Sequence, residues 1–218
     1  MKILELFAGT RSVGRAFEER GHEVFTVEWD RRFKDISLYE DVLKVQAEDI
    51  VRMFGKPDVI WASPDCSSYS VAAISHHRKK DARGNLVPKT EYARYCDEVN
   101  RHVICLIYEL DPKYWFIENP RGALRKMDFM KGLPRYTVTY CKYGEKRMKP
   151  TDIWTNHPDP KFKPPCRNGD KCHVSAPRGA TTGTQGIKGS IDRARIPEEF
   201  CRHIVEICEE GGRSEDHR

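Results

Sequence analysis

A cysteine, a carboxyl group and a glycine turn each stand just after a short apolar run in this chain. Val59-Ile60-Trp61-Ala62 leads into Ser63-Pro64-Asp65-Cys66-Ser67-Ser68, which puts Cys66 past the end of a buried strand. Phe116-Ile117 leads into Glu118-Asn119-Pro120, and Leu4-Glu5-Leu6 into Phe7-Ala8-Gly9. In an open α/β sheet the carboxyl ends of the strands are where ligands bind. A thiol exposed in a turn before a helix has its pKa lowered by backbone dipoles, so Cys66 is expected to be an activated nucleophile. An acid beside a Trp-Phe-Ile run is costly to bury while charged. Glu118 is read as a carboxyl with raised pKa, poised to give a proton, or else as a carboxylate satisfied by backbone amides. Cys96, Cys105, Cys201 and Cys208 lie in helical stretches and are expected to be small buried hydrophobes.

The glycine turn suits a nucleotide-type cofactor. Gly9 and the nearby Gly14 let a ligand approach the backbone at a helix start. Glu28-Trp29-Asp30 ends the second apolar run. A carboxylate there can accept the hydroxyl protons of a ribose, and Trp29 can stack on an adenine. Asp41 is placed to meet the adenine amino group. Each residue alone is as well explained as a solvated charge or a core aromatic; the ordered set favours the cofactor.

The elements that must hold these residues alternate along the chain. Residues 3–7 form a first strand, and a helix over 13–20 is capped by Ser12 and closed by Gly21. Strands follow at 24–27 and 58–62, with a short one near 39–42, and a helix lies near 49–54. Residues 91–110 carry the clearest helical period, with Val99, Val103, Leu106, Ile107 and Leu110 on one face. Strands at 115–117, 136–140 and 152–154 complete an α/β fold, a doubly wound and mostly parallel sheet of Rossmann-like type. Residues 157–189 are rich in Pro, Gly, Thr, Lys and Cys and read as an irregular excursion. A last helix spans 197–208, and residues from Gly211 onward read as a disordered tail.

Composition sets the frame. The 218 residues suffice for one domain, with 38 Lys+Arg against 33 Asp+Glu and a formal net charge of +5. That balance permits nucleic-acid binding without demanding it. The mean hydropathy of -0.69 speaks for a polar surface. No run approaches the roughly 20 apolar residues of a membrane span. No export signal is evident, so the eight cysteines are expected to be reduced and the protein cytoplasmic. A basic stretch, His76-His77-Arg78-Lys79-Lys80-Asp81-Ala82-Arg83, follows Cys66.

Taken in order, these motifs resemble the DNA cytosine carbon-5 methyltransferases. Leu6-Phe7-Ala8-Gly9 is similar to the family's cofactor loop, Glu28-Trp29-Asp30 to its ribose and adenine segment, and Asp41-Val42 to its adenine-amino contact. Pro64-Asp65-Cys66 stands where the family carries its nucleophile, and Glu118-Asn119-Pro120 where it has Glu-Asn-Val. Tyr143-Gly144 with Arg147 and Lys149 resembles the basic substrate motif; Ile196-Pro197 and the last helix resemble the closing motif. The resemblance implies S-adenosyl-L-methionine bound by Phe7, Gly9, Glu28, Trp29 and Asp41. It implies Cys66 and Glu118 as catalytic residues, and Asn119, Arg147 and Lys149 as substrate contacts. The basic stretch would close over DNA, with His76, His77, Arg78, Lys79, Lys80 and Arg83 on phosphates. Duplex DNA with a flipped-out cytosine is the implied partner.

The chain departs from the pattern at several points. Asp65 replaces a proline, and its negative charge would raise the Cys66 thiol, against the lowering expected of the turn; Pro120 replaces a valine, and Lys149 and Thr151 two arginines. The large target-recognition domain is missing, and only residues 157–189 could replace it. The implied layout is a catalytic domain at 1–156, a reduced recognition region at 157–189, a closing helix at 190–210 and a tail at 211–218. Phage origin and a separate recognition partner or homo-oligomer fit this reduction. RNA, a free cytosine nucleotide, or a non-catalytic binding role are the alternatives. Cys166-x5-Cys172-His173, with Cys141 or His157, could supply four zinc ligands, but the irregular spacing favours ordinary thiols and no metal is assigned. Thr181-Thr182-Gly183-Thr184-Gln185-Gly186 is read as a flexible segment able to reach a DNA groove or as a plain linker.

Overall fold

The computed structural model describes residues 1–167, 169–174 and 189–213. Six strands form one sheet: β1 (Lys2–Leu6), β2 (Glu23–Val27), β3 (Val59–Ala62), β6 (Tyr114–Pro120), β7 (Arg135–Thr139) and β8 (Pro150–Thr155). Their order is β2-β1-β3-β6-β8-β7. The first four run parallel, and β8 pairs antiparallel with both β6 and β7. This is the mixed, mostly parallel α/β sheet expected. A separate hairpin, β4 (Arg78–Lys80) with β5 (Leu86–Pro88), stands between β3 and the long helix.

Both faces of the sheet are covered, which explains why its parallel strands are continuously apolar rather than alternating. Leu4, Leu6, Ile60, Ala62 and Ile117 face one core, which is completed by Ile50 of α2 (Ala47–Met53) and by α4 (Glu91–Leu110). All five residues of the expected α4 stripe are buried. Ile3, Val59, Trp61 and Phe116 face the other core, against Val13 and Phe17 of α1 (Ser12–Glu18) and Phe200, Ile204 and Ile207 of α6 (Glu198–Arg213). Two minor helices are α3 (Ile74–His77) and α5 (Ser190–Ala194).

Four expectations are corrected. Ser12 is the first residue of α1, not its cap; Arg11 caps it in the left-handed region, and the Ser12 hydroxyl pairs with Thr10 at 2.8 Å. No strand forms at 39–42. Only Leu38 bridges to Val27, and the Asp41 side chain turns back to accept from Leu43 N–H, opening a 3-10 turn over Val42–Lys44. The last helix continues through Gly211 to Arg213 instead of giving way to a tail there, since Gly211 packs on the Tyr114 ring. Cys105 is exposed on α4, because it sits off the apolar stripe. Residues 214–218 and the Thr181–Gly186 stretch lie outside the described residues. Among the described residues no helix is long and apolar enough to cross a membrane.

Candidate active site

The register between β3 and β6 pairs Ala62, the last residue of β3, with Ile117, so Cys66 in the turn after β3 and Glu118, one residue past that pair in β6, lie toward the same edge of the sheet. Three contacts fix the turn that carries Cys66. Asn119 Nδ2 donates to the Pro64 carbonyl at 2.9 Å. Ala123 N–H donates to the Tyr69 carbonyl at 2.8 Å. Arg78 Nε donates to the Ser68 carbonyl at 2.9 Å. The loop leaving β6 approaches so closely that a Cβ on Gly122 would stand 2.6 Å from the Tyr69 carbonyl oxygen, which requires glycine there.

Glu118 is buried, and the Tyr140 hydroxyl donates to its Oε1 at 3.0 Å. Burial raises its carboxyl above the usual range, against the opposing pull of the Lys149 charge and of the Tyr140 and Ser63 hydrogen bonds. The direction is the one expected of Glu118. Cys66 departs from the lowering expected of its turn and shifts in the direction expected of the Asp65 charge. It is half-buried, and burial followed by the charges of Asp65 and Glu118 pushes its thiol up to about 11, with Lys149 opposing. The short 3-10 turn over Ser67–Tyr69 gives too little aligned dipole to offset two carboxylates. Asp65 in turn accepts from Ser67 N–H at 2.6 Å.

Beside this pair lies a cavity of about 390 Å³ lined by Phe7, Trp29, Asp41, Asp65, Tyr95 and Val99, among others. Trp29 is 69% exposed, so it is not a core aromatic. Asp41 accepts from the Tyr95 hydroxyl at 3.0 Å and, with Asp65, sets a carboxylate among the aromatic and apolar side chains of the lining. Phe7 and Gly9 both have positive φ, +58° and +49°, so β1 ends in a sharp turn. Glu28 holds that turn: its Oε2 accepts from Gly9 N–H at 3.0 Å and its Oε1 from Asp30 N–H at 2.9 Å. Glu28 and Gly9 shape the turn and do not line the cavity. A flat apolar slot with an aromatic wall and an acceptor for an amino group fits an adenine nucleoside, and so fits the expected cofactor.

Lys149 has a φ of +34°, and its Nζ lies 4.9 Å from the Tyr140 ring centre and 3.2 Å from the Arg195 carbonyl. It belongs to the Cys66–Glu118 group through its charge. Arg147 does not join them; its Nη1 turns to the Val174 carbonyl. Thr151 is buried, and Asp152 beside it is paired with Arg125, whose Nε is 2.8 Å away.

Arg78 is not a phosphate contact. Its guanidinium is fully buried, pairs with Asp97 at 2.8 Å, and stacks 4.2 Å from the Tyr69 ring centre. It locks the segment after the nucleophile onto α4. His76, Lys79, Lys80 and Arg83 are exposed around the β4–β5 hairpin. Sequence reasoning missed Tyr140, Tyr95 and Asp97 as partners of the site. Tyr140, as the last residue of an alternating run next to the Glu118 strand, was the one with a readable signal.

Comparison with known proteins gives the family. Residues 1–131 match the family of C-5 cytosine-specific DNA methylases. A protein of Frog virus 3 (isolate Goorha), described as a probable DNA (cytosine-5)-methyltransferase, is 29% identical over 228 residues, covering 95% of this chain and all of the viral protein. Among solved structures, an E. coli prophage protein described as a DNA modification methyltransferase superposes with a TM-score of 0.52 at 17% identity, over 71% of this chain. That likeness shows the fold, and the chain spans only 46% of that protein. A Spodoptera frugiperda DNMT2 variant superposes with a TM-score of 0.47 at 18% identity, over 71% of this chain and 49% of its own. The chain therefore belongs to the C-5 cytosine-specific DNA methylase family and is an S-adenosylmethionine-dependent methyltransferase.

Proposed function

We propose that this enzyme methylates carbon 5 of cytosine in DNA through a covalent Cys66 adduct with a flipped-out base. The observation that carries the reading is the placing of a thiol and a buried carboxyl of raised pKa at one sheet edge, next to a cavity with aromatic walls. Cytosine carbon 5 is a poor nucleophile until carbon 6 is attacked. The Cys66 thiolate adds to carbon 6 and pushes electron density to carbon 5. Glu118 gives a proton or hydrogen bond to ring nitrogen 3, which stabilises the charge that would build there. Asn119 holds the two tips in register through Pro64, and Lys149 offsets the negative charge of Asp65 and Glu118 around the thiol. S-adenosylmethionine supplies an electrophilic methyl group when bound, and Phe7, Trp29 and Asp41 would hold it. Loss of the carbon-5 proton then releases Cys66. Because carbon 6 is shielded in a stacked duplex, the base leaves the helix.

In this reading residues 1–156 carry the chemistry, and 157–189 serve as a reduced recognition region. His76, Lys79, Lys80 and Arg83 meet the backbone phosphates. The test is transfer of labelled methyl to duplex DNA, with transfer RNA and deoxycytidine phosphates as parallel substrates. Label in duplex DNA as 5-methylcytosine, lost in Cys66→Ala, is expected. A covalent complex with 5-fluorocytosine DNA should form in the wild type and not in that variant. DNA binding without label or trapped complex would reduce the protein to a binding module.

A further inference from the structure

The irregular excursion after β8 returns to touch the end of β7, and the touching residues form a set. Cys141 lies in a 3-10 turn over Tyr140–Tyr143; Cys166, Cys172 and His173 come from the excursion. One ligand atom from each falls within 4.8 Å of all the others. Cys141 Sγ and Cys172 Sγ are 3.6 Å apart. His173 Nδ1 is 3.7 Å from Cys166 Sγ and 3.9 Å from Cys172 Sγ. A tetrahedral ion with sulfur at about 2.3 Å and nitrogen at about 2.0 Å spans edges of roughly 3.5–3.8 Å. The three separations of 3.6, 3.7 and 3.9 Å lie close to those edges, the remaining ones stay within 4.8 Å, and the sulfur pair is well beyond the roughly 2 Å of a bonded one.

We propose that Cys141, Cys166, Cys172 and His173 Nδ1 hold one structural zinc ion that pins the excursion to the β7 end of the sheet. The donor set decides the metal. Three thiolates and an imidazole suit zinc, whereas calcium and magnesium take oxygen ligands. Four protein ligands leave no open position, so the ion is structural and not catalytic. Cys141 and Cys166 are buried, and Cys172 and His173 half-buried. Zinc with three thiolates carries a net negative charge, and the Lys142 ammonium stands beside it, 3.5 Å from Asp170 Oδ2. Cys166 N–H donates to Thr139 Oγ1 at 2.9 Å, which fixes that ligand against the strand end.

The fold has a need for such a link. The described part of the excursion has no helix or strand, so ligand bonds replace the burial it lacks. Cys141 follows Tyr140, the donor to Glu118, so the ion braces one wall of the active site. His157, the other candidate ligand, is elsewhere; its Nε2 faces the Ile207 carbonyl at 3.1 Å. The pattern was hard to see in the sequence because Cys141 precedes Cys172 by 31 residues, with β8 between them.

The experiment uses the full chain, purified under reducing conditions without a histidine tag. Elemental analysis should find about one zinc per chain. Exchange with cobalt should give thiolate charge-transfer bands and the intense visible bands of a tetrahedral ion, a readout independent of activity. Cys172→Ser and His173→Ala should lower metal content and thermal stability, while Cys105→Ser, on exposed α4 surface, should leave both unchanged. A folded wild type that holds no zinc and gives no cobalt bands would overturn the proposal. So would iron in place of zinc, a mass showing a Cys141–Cys172 disulfide, or zinc retained in full by both ligand variants.

Discussion

Asn119 Nδ2 donates to the Pro64 carbonyl at 2.9 Å and so ties the tip of the Glu118 strand to the turn that carries Cys66. Asn119 is fully buried, and the Ser63 hydrogen bond to Glu118 adds a second side-chain tie between the two strand exits. Its own Oδ1 has no partner, which leaves an acceptor aimed at the same buried junction. Acid and thiol are thereby held as one unit, and the Glu118 charge helps to raise the thiol.

The first consequence concerns the thiol. With its pKa pushed up to about 11, Cys66 of the free enzyme is protonated at neutral pH. Its alkylation by iodoacetamide, followed by mass spectrometry of the Cys66 peptide, should rise about tenfold per pH unit from pH 7 to 10. Asp65→Asn keeps an acceptor for Ser67 N–H and removes the nearest charge, so it should speed alkylation at pH 8. A rate that levels off near pH 8 in the wild type contradicts the burial argument.

Glu118 must hold a proton to serve nitrogen 3. Glu118→Gln retains the shape and loses the proton, and should cut the methyl-transfer rate by roughly 10²–10³. The Tyr140 hydrogen bond favours the ionised carboxylate. Tyr140→Phe removes it, so the alkaline limb of the rate profile should move up by about one pH unit. A limb that moves down would assign Tyr140 a different role.

Cofactor affinity should depend on the rim of the slot. Asp41→Ala removes the acceptor that Tyr95 now occupies. Titration calorimetry with S-adenosylmethionine should show about a tenfold weaker Kd, with the melting temperature little changed because the pair is at the surface. Trp29→Ala should weaken binding similarly. An unchanged Kd in both variants would place the adenine elsewhere.

Glu5 offers a stability test apart from catalysis. It is buried in β1 beneath Gly14, its Oε2 has no partner, and burial raises its pKa from 4.5 to about 7. Below pH 4.5 the group is protonated in both folded and unfolded chains. Between there and pH 7 the unfolded chain ionises first and the fold loses stability, on the order of 3 kcal/mol in all. Above pH 7 the loss is constant. Glu5→Gln should therefore raise unfolding free energy at pH 8 and leave it nearly unchanged at pH 4, as read by urea titration.

The sheet, its helices and the candidate site residues were legible because they obey local rules. The apolar runs at 3–6, 59–62 and 116–117 alternate faces between two cores, and the α4 stripe follows a helical period. Cys66, Glu118 and Trp29 stand at the carboxyl ends of parallel apolar runs, and those ends share an edge; Asp41 does not, since no strand forms at 39–42. Electrostatics and long-range partners were not legible. Asp65 was visible beside Cys66, yet the sign of the thiol shift needed the burial and the Glu118 charge that only the packed fold supplies. Arg78 looks like one more cation in a basic stretch until α4 brings Asp97 to it and Tyr69 covers it. The sequence offered Cys141 or His157 as the fourth member of the Cys166, Cys172 and His173 set, and only the loop's return across a strand chose Cys141. Local pattern fixes which face a side chain takes; the charges and ligands that meet there come from segments far apart in the chain, and folding alone brings them together.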